Sequence, residues 1–159
     1  MGSVGAPPVG WAFTGGDNGQ VAKRGAHRAV GGESVRPCAC GSGTTYGRCC
    51  RPLHRGEAHA ATAEQLMRSR FSAFAVGHRD HLLRSWHSST RPTGLSLDPA
   101  QRWLRLEVLD RERGGLLDST GTVEFRAHYR TAGRTGTLHE RSRFVREDGR
   151  WVYLDASTG

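Results

Sequence analysis

Beyond residue 62 the apolar positions of this chain follow two periods in turn. The first is helical. Met67, Phe71, Phe74 and Ala75 recur at the spacing of one helix face. Thr62-Ala63-Glu64-Gln65 fits a capping box, with Thr62 as N-cap and Gln65 reaching back. Gly77 is a natural stop. Asp80 is then expected to cap a second short helix that buries Leu82, Leu83 and Trp86, and Pro92 ends that region. Asp98-Pro99 reads as an N-cap with a first-turn proline, so a further helical turn is expected there. From Trp103 the period becomes two. Leu104, Leu106 and Val108 alternate with Arg105 and Glu107, and Val123, Phe125, Ala127 and Tyr129 alternate with charged neighbours. Leu138, Glu140, Ser142 and Phe144 share one face. Asp148-Gly149 makes a tight turn into a last strand on which Trp151 and Tyr153 share a face. Helices followed by an antiparallel meander predict an α+β fold, its curved sheet wrapped around the long helix and enclosing a cavity.

Before residue 62 neither period holds. Residues 1–35 contain nine glycines and few large apolar side chains, and are expected to be a disordered leader. Next comes a turn-rich loop carrying all 4 cysteines, Cys38, Cys40, Cys49 and Cys50. Cys-x-Cys followed by Cys-Cys can close a tetrahedral zinc site. Two disulfides are the alternative, but one pairing would use the adjacent Cys49 and Cys50, a strained geometry. His54 is an alternative fourth ligand; Cys50 is preferred because it needs no further loop. Gly41 and Gly43 let the chain fold back and could aim amides at the sulfurs. Arg36, Arg48, Arg51 and Arg55 flank the loop, and no acidic residue lies between Glu33 and Glu57. That setting favours thiolates. With almost no apolar residues to bury, the loop must draw its folding energy from the metal.

The run Cys38-Ala39-Cys40-Gly41-Ser42-Gly43-Thr44-Thr45-Tyr46-Gly47-Arg48-Cys49-Cys50 resembles the SEC-C motif, the small zinc module also found at the C-terminus of the preprotein translocase SecA, where it contacts a chaperone and ribosomes. The departures are Ala39 where proline is usual, and Thr44-Thr45 in place of a commonly basic pair. Downstream, Leu66 to Phe71, Trp86-His87 and Trp151 to Tyr153 resemble the YchJ family. The resemblance runs from about Arg36 to the C-terminus. It implies an SEC-C module over residues 36–56 ahead of a cone-shaped domain similar to nuclear transport factor 2 over residues 60–157. It implies zinc binding, with no established biochemical role.

Composition adds limits. At 159 residues the chain is one ordinary domain with a small appendage. No apolar run approaches the roughly 18 residues of a membrane span. No secretion signal is visible, so a cytoplasmic address is expected. The net charge is +8, yet Lys23 is the only lysine, and acidic and basic residues intermingle after Glu57. Such a pattern reads as a solvated surface more readily than as a phosphate-binding stripe.

Chemistry beyond the metal centres on Glu140 and Ser142, which the alternation turns inward. A carboxylate there must be paired or solvated. Arg68 or Arg70 on the helix can pair it, as can His87 or Arg91. Either Glu140 ties helix to sheet, or it is a general acid/base in a cavity with His87 and Arg91 beside it. His128 and His139 are expected to face solvent. Phosphate loops, dinucleotide glycine patterns and serine elbows are absent from the sequence. The leading expectation is a non-enzymatic zinc-stabilised binding protein that offers Arg48, Arg51 and Arg55 to a protein partner. A small enzyme working in the cone cavity, and an RNA- or ribosome-binding protein, are the alternatives.

Overall fold

A computed structural model describes residues 35–158, so the leader expected over residues 1–35 falls almost wholly outside the described residues. The loop contributes a 3-10 turn at Tyr46–Arg48 and a short helix α1 at Arg51–His54. Two helices follow, α2 at Ala63–Val76 and α3 at Arg79–Arg84. Four strands complete the chain: β1 Gln101–Arg113, β2 Thr120–Thr131, β3 Arg134–Glu147 and β4 Arg150–Thr158. They pair antiparallel in the order β1-β2-β3-β4. The expected α+β order of helices before a meander is present.

Helix α2 starts where its capping residues place it. Thr62 Oγ1 accepts the Gln65 amide at 3.1 Å, and Gln65 Oε1 accepts the Ala61 amide at 2.7 Å. It ends at Gly77, whose φ of 78° is the left-handed conformation glycine adopts freely. The helix packs on β1, β2 and β4. Met67, Phe71, Phe125 and Phe144 are all at most 1% exposed between them. Burial exceeds the predicted stripe: Ser69, Arg70 and Ser72 are buried too, because α1 and α3 cover the face turned from the sheet. The N-terminus of α2 sits against a glycine corner, with the Ala63 amide donating to Gly114 O at 2.9 Å. A Cβ on Gly121 would stand 2.5 Å from Gly114 Cα.

Three local expectations are corrected. Helix α3 is capped by His78, whose ring nitrogen accepts the His81 amide, and Asp80 lies inside the first turn. Asp98-Pro99 makes a turn rather than a helix: Asp98 Oδ1 captures the Ala100 amide at 2.9 Å and the chain enters β1 at Gln101. Leu104 does not face inward with Leu106. A bulge between Trp103 and Arg105 turns Leu104 outward, 47% exposed, and lets Trp103 pack against Phe71, Phe74 and Tyr129. The Asp148-Gly149 turn has the expected form, with φ of 53° and 80° at its two residues. His128 and His139 lie on the outer face of the sheet as expected, half-buried where Glu107 and Glu124 hold them at 2.5 and 2.7 Å. No helix among the described residues is long and apolar enough to cross a membrane.

Candidate functional site

The cysteine loop folds back on itself as the glycines predict. Gly41 and Gly43 take φ of 80° and 88°. The Cys38 amide donates to Thr44 O at 2.9 Å, closing the turn between the two pairs. The 3-10 turn then delivers Cys49 and Cys50 to the same point as Cys38 and Cys40. All four Sγ atoms lie within 4.8 Å of one another. Cys40 and Cys49 sulfurs are 3.5 Å apart, and those of Cys49 and Cys50 are 3.8 Å apart. A tetrahedral thiolate site with bonds of about 2.3 Å separates its sulfurs by about 3.8 Å. A disulfide would bring a pair to about 2.05 Å. The four cysteines are unbridged and can hold a metal ion.

Charge makes the same point. Hydrogen bonds from Cys38 and Cys50 pull the Cys40 thiol far below the ordinary range. Its neighbours respond in the opposite sense: hydrogen bonding to Cys40 lifts Cys38 to about 11, and hydrogen bonding to Cys38 and Cys40 lifts Cys50 well above its usual value. Four thiolates so close together repel one another and need a cation. The donors around the sulfurs are not the glycine amides. The Gly41 amide donates to Cys38 O instead. The Cys40 amide serves Cys38, and the Ser42 hydroxyl lies 3.1 Å from Cys49 Sγ.

His54 is not part of this cluster. It is fully buried behind it and welds the loop to the domain. Its Nδ1 takes the Tyr46 hydroxyl at 2.7 Å, and its Nε2 faces Ser69 O at 2.8 Å. That arrangement suits a neutral ring protonated on Nε2. Burial holds its pKa down at about 4. His81, also depressed by burial, donates from Nε2 to Ser69 Oγ at 2.9 Å. Arg68 adds a second tie by donating to Cys40 O at 2.7 Å while its Nε holds Glu64. Sequence reasoning missed this junction, although Ser69 and Ser72 at helical spacing opposite the apolar stripe were its visible trace.

Glu140 and Ser142 face inward as the alternation requires, and both are fully buried. Burial lifts the Glu140 carboxyl to about 8, an effect Arg70 partly opposes. Arg70 is the charge that faces it. Burial lowers Arg70 to about 10, and the guanidinium lies over the Trp86 and Tyr153 rings at 4.9 and 4.7 Å. It donates to Leu82 O and Ser85 Oγ, stitching α2 to α3. Both Glu140 oxygens and Ser142 Oγ have no hydrogen-bond partner among the described residues. The remaining candidates are elsewhere. Arg68 is occupied at the loop. His87 Nδ1 meets Ser89 Oγ at 2.7 Å, and its Nε2 lies 3.5 Å from Glu147. Arg91 donates to Trp86 O at 2.8 Å. Glu140, His87 and Arg91 therefore do not converge on one accessible chamber.

Comparisons with known proteins agree with both halves of the chain. The family described as "YchJ, middle NTF2-like domain" matches residues 62–156. A UPF0225 protein of Streptomyces coelicolor is 55% identical over 119 residues, covering 75% of this chain and 93% of its own. A UPF0225 protein of Ralstonia nicotianae is 50% identical, covering 74% of this chain and 88% of its own. The solution structure of a SEC-C motif containing protein from Rhodopseudomonas palustris superposes with a TM-score of 0.68 at 36% identity, covering 77% of this chain and 98% of that one. A crystal structure of a SEC-C motif containing protein from Psychrobacter arcticus gives 0.66 at 26% identity, covering 80% and 85%. With its cysteine loop ahead of an NTF2-like domain, the chain belongs to the YchJ (UPF0225) family.

Proposed function

We propose that this chain is a non-enzymatic accessory protein in which a structural zinc ion shapes a small loop for contact with a protein partner. The observation that carries the reading is the convergence of four cysteine sulfurs within 4.8 Å. Four protein ligands leave no open coordination position for water or substrate, which is the mark of a structural rather than a catalytic site. Zinc is the ion favoured by an all-thiolate tetrahedron. Unbridged cysteines suit a reducing compartment, and the reading includes a cytoplasmic address.

The loop keeps its cations outward. Arg48 and Arg55 are exposed and Arg51 is half-buried. None of the three guanidiniums has a carboxylate or other side-chain partner among the described residues, whereas Arg141 and Arg143 on the sheet are ion-paired. The domain interior, filled by Phe71, Phe125, Phe144 and Trp151, supports a scaffold role over a reaction chamber at Glu140.

Affinity capture from a lysate with the zinc-loaded protein, compared with the Arg48→Glu and Arg51→Glu double variant, tests the reading. The expected result is a protein recovered by the wild type and lost by the variant while zinc content stays at one per chain. Identical recoveries would remove the loop as the contact surface. Recovery of RNA alone, abolished by added salt, would replace the protein partner with a nucleic acid.

A further inference from the structure

The junction between loop and domain carries a cleft of about 670 Å³, within the size range of small-molecule sites. One wall is α1 and the segment that follows it, including Leu53, Ala58 and His59. The other is formed by α3, the loop after it and the β3–β4 hairpin, with Arg84, Arg91 and Arg150 respectively. Leu66, Trp151 and Val152 give it an apolar base. Both walls are braced. Arg84 Nη2 donates across to His54 O at 2.6 Å, and Trp151 Nε1 donates to Ala61 O at 3.2 Å.

Several arginines of the domain are neutralised by carboxylates. Arg68, Arg105, Arg111, Arg141 and Arg143 all meet carboxylates. Arg84, Arg91 and Arg150 form no ion pair among the described residues. Arg84 and Arg91 are anchored by backbone carbonyls, which fixes their direction, and Arg91 feels Glu147 only through space. Two carboxylates also border the cleft. Glu147 is already engaged by the Ser88 hydroxyl and its amide, and Asp148 sits at the hairpin tip. Three guanidiniums therefore outnumber the carboxylates, over an apolar base.

The geometry points to a binding site for a small organic anion, its phosphate or carboxylate held by Arg84, Arg91 and Arg150 and its apolar body resting on Leu66 and Val152. Guanidiniums favour such a group because each can offer two N–H donors in one plane. The three arginines are distinct from the loop arginines of the proposed contact surface, and the site does not depend on that reading.

Titration of the zinc-loaded full chain with inorganic phosphate, phenyl phosphate and benzoate, followed by amide chemical shifts, tests the site. Saturable shifts are expected at residues 53–60, 84–91 and 147–152, with phenyl phosphate binding more tightly than inorganic phosphate. Stronger binding of benzoate than of phenyl phosphate would assign a carboxylate ligand; the reverse would assign a phosphate. Arg150→Gln, at an exposed strand start, should weaken binding about tenfold or more, the loss of a charge-assisted contact. Arg126→Gln, on the outer face of the sheet, should leave it unchanged. No saturable shifts with any of the three probes would overturn the proposal. So would equal weakening by both variants, which would mean diffuse attraction to a basic surface. Each readout is independent of partner capture by the loop.

Discussion

Residues 37–55 and residues 62–156 lie side by side in one chain and are held together by different physics. The domain buries aromatic side chains between α2 and the sheet, and its stability is spread over many contacts. The loop buries Tyr46, Leu53 and His54 beyond its cysteines, too little to order a segment of that length. What gathers it is a point where four sulfurs meet. One region can lose a side chain and lose stability in proportion. The other depends on a single cross-link, and the loss of one sulfur removes most of it.

The largest expected effect comes from attacking that cross-link. Cys40→Ser, at the fully buried ligand, should reduce zinc in the purified protein from one per chain to a small fraction, read by elemental analysis. The domain signals should persist in the same sample, because His54 and Arg68 tie the loop to α2 without supporting the core. Loss of both sets of signals would erase the distinction between the regions. Phe71→Ala makes the reciprocal attack. It should cost about 3–5 kcal/mol of domain stability in a denaturant titration. Sulfur geometry is untouched, so zinc stoichiometry of the folded fraction should stay the same.

A smaller effect separates the regions by pH. His54, at the junction, is neutral in the fold down to about pH 4 but takes a proton near 6.5 when unfolded. Between those values the unfolded chain binds more protons, so stability falls as the solution is acidified. Glu140, in the core, runs the other way. Its carboxyl stays protonated in the fold up to about pH 8, against 4.5 in the open chain. The folded chain holds the extra proton in that window, so stability falls as pH rises through it, by an amount on the order of a few kcal/mol. Glu140→Gln should flatten the fall in stability toward pH 8 and steepen the acid-side loss between about pH 4.5 and 6.5, where the two groups otherwise oppose each other. Imidazole shifts of His54 should show no titration near pH 6.5. An unchanged alkaline slope in the variant would mean that Glu140 is ionised and paired.

The sequence made these two regions legible to different depths. Cysteine spacing identified the loop, because so few arrangements satisfy four ligands on 13 residues. Thr62, Gly77 and Asp148-Gly149 marked their boundaries, because each acts on its own neighbours. The inward turn of Glu140 was legible from strand alternation alone. What failed depended on partners distant in sequence. The bulge that exposes Leu104 arises from pairing with β2, and nothing in β1 announces it. Asp80 lost the cap to His78 because Gly77 restarts the chain two residues earlier than an Asp80 cap requires. The role of His54 could not be read from its spacing to Cys50, since its partners Ser69 and Ser72 lie a full helix away. The arginine-lined cleft joins four separate segments and has no sequence motif.

Amide hydrogen exchange of the zinc-loaded protein, before and after metal removal by a chelator, tests the contrast most directly. Protection should collapse across residues 38–55, weaken at the α2 turn that carries Ser69, and persist in β2, β3 and β4. Exchange that is unchanged in the loop after complete metal removal, or lost equally in loop and sheet, would contradict the account.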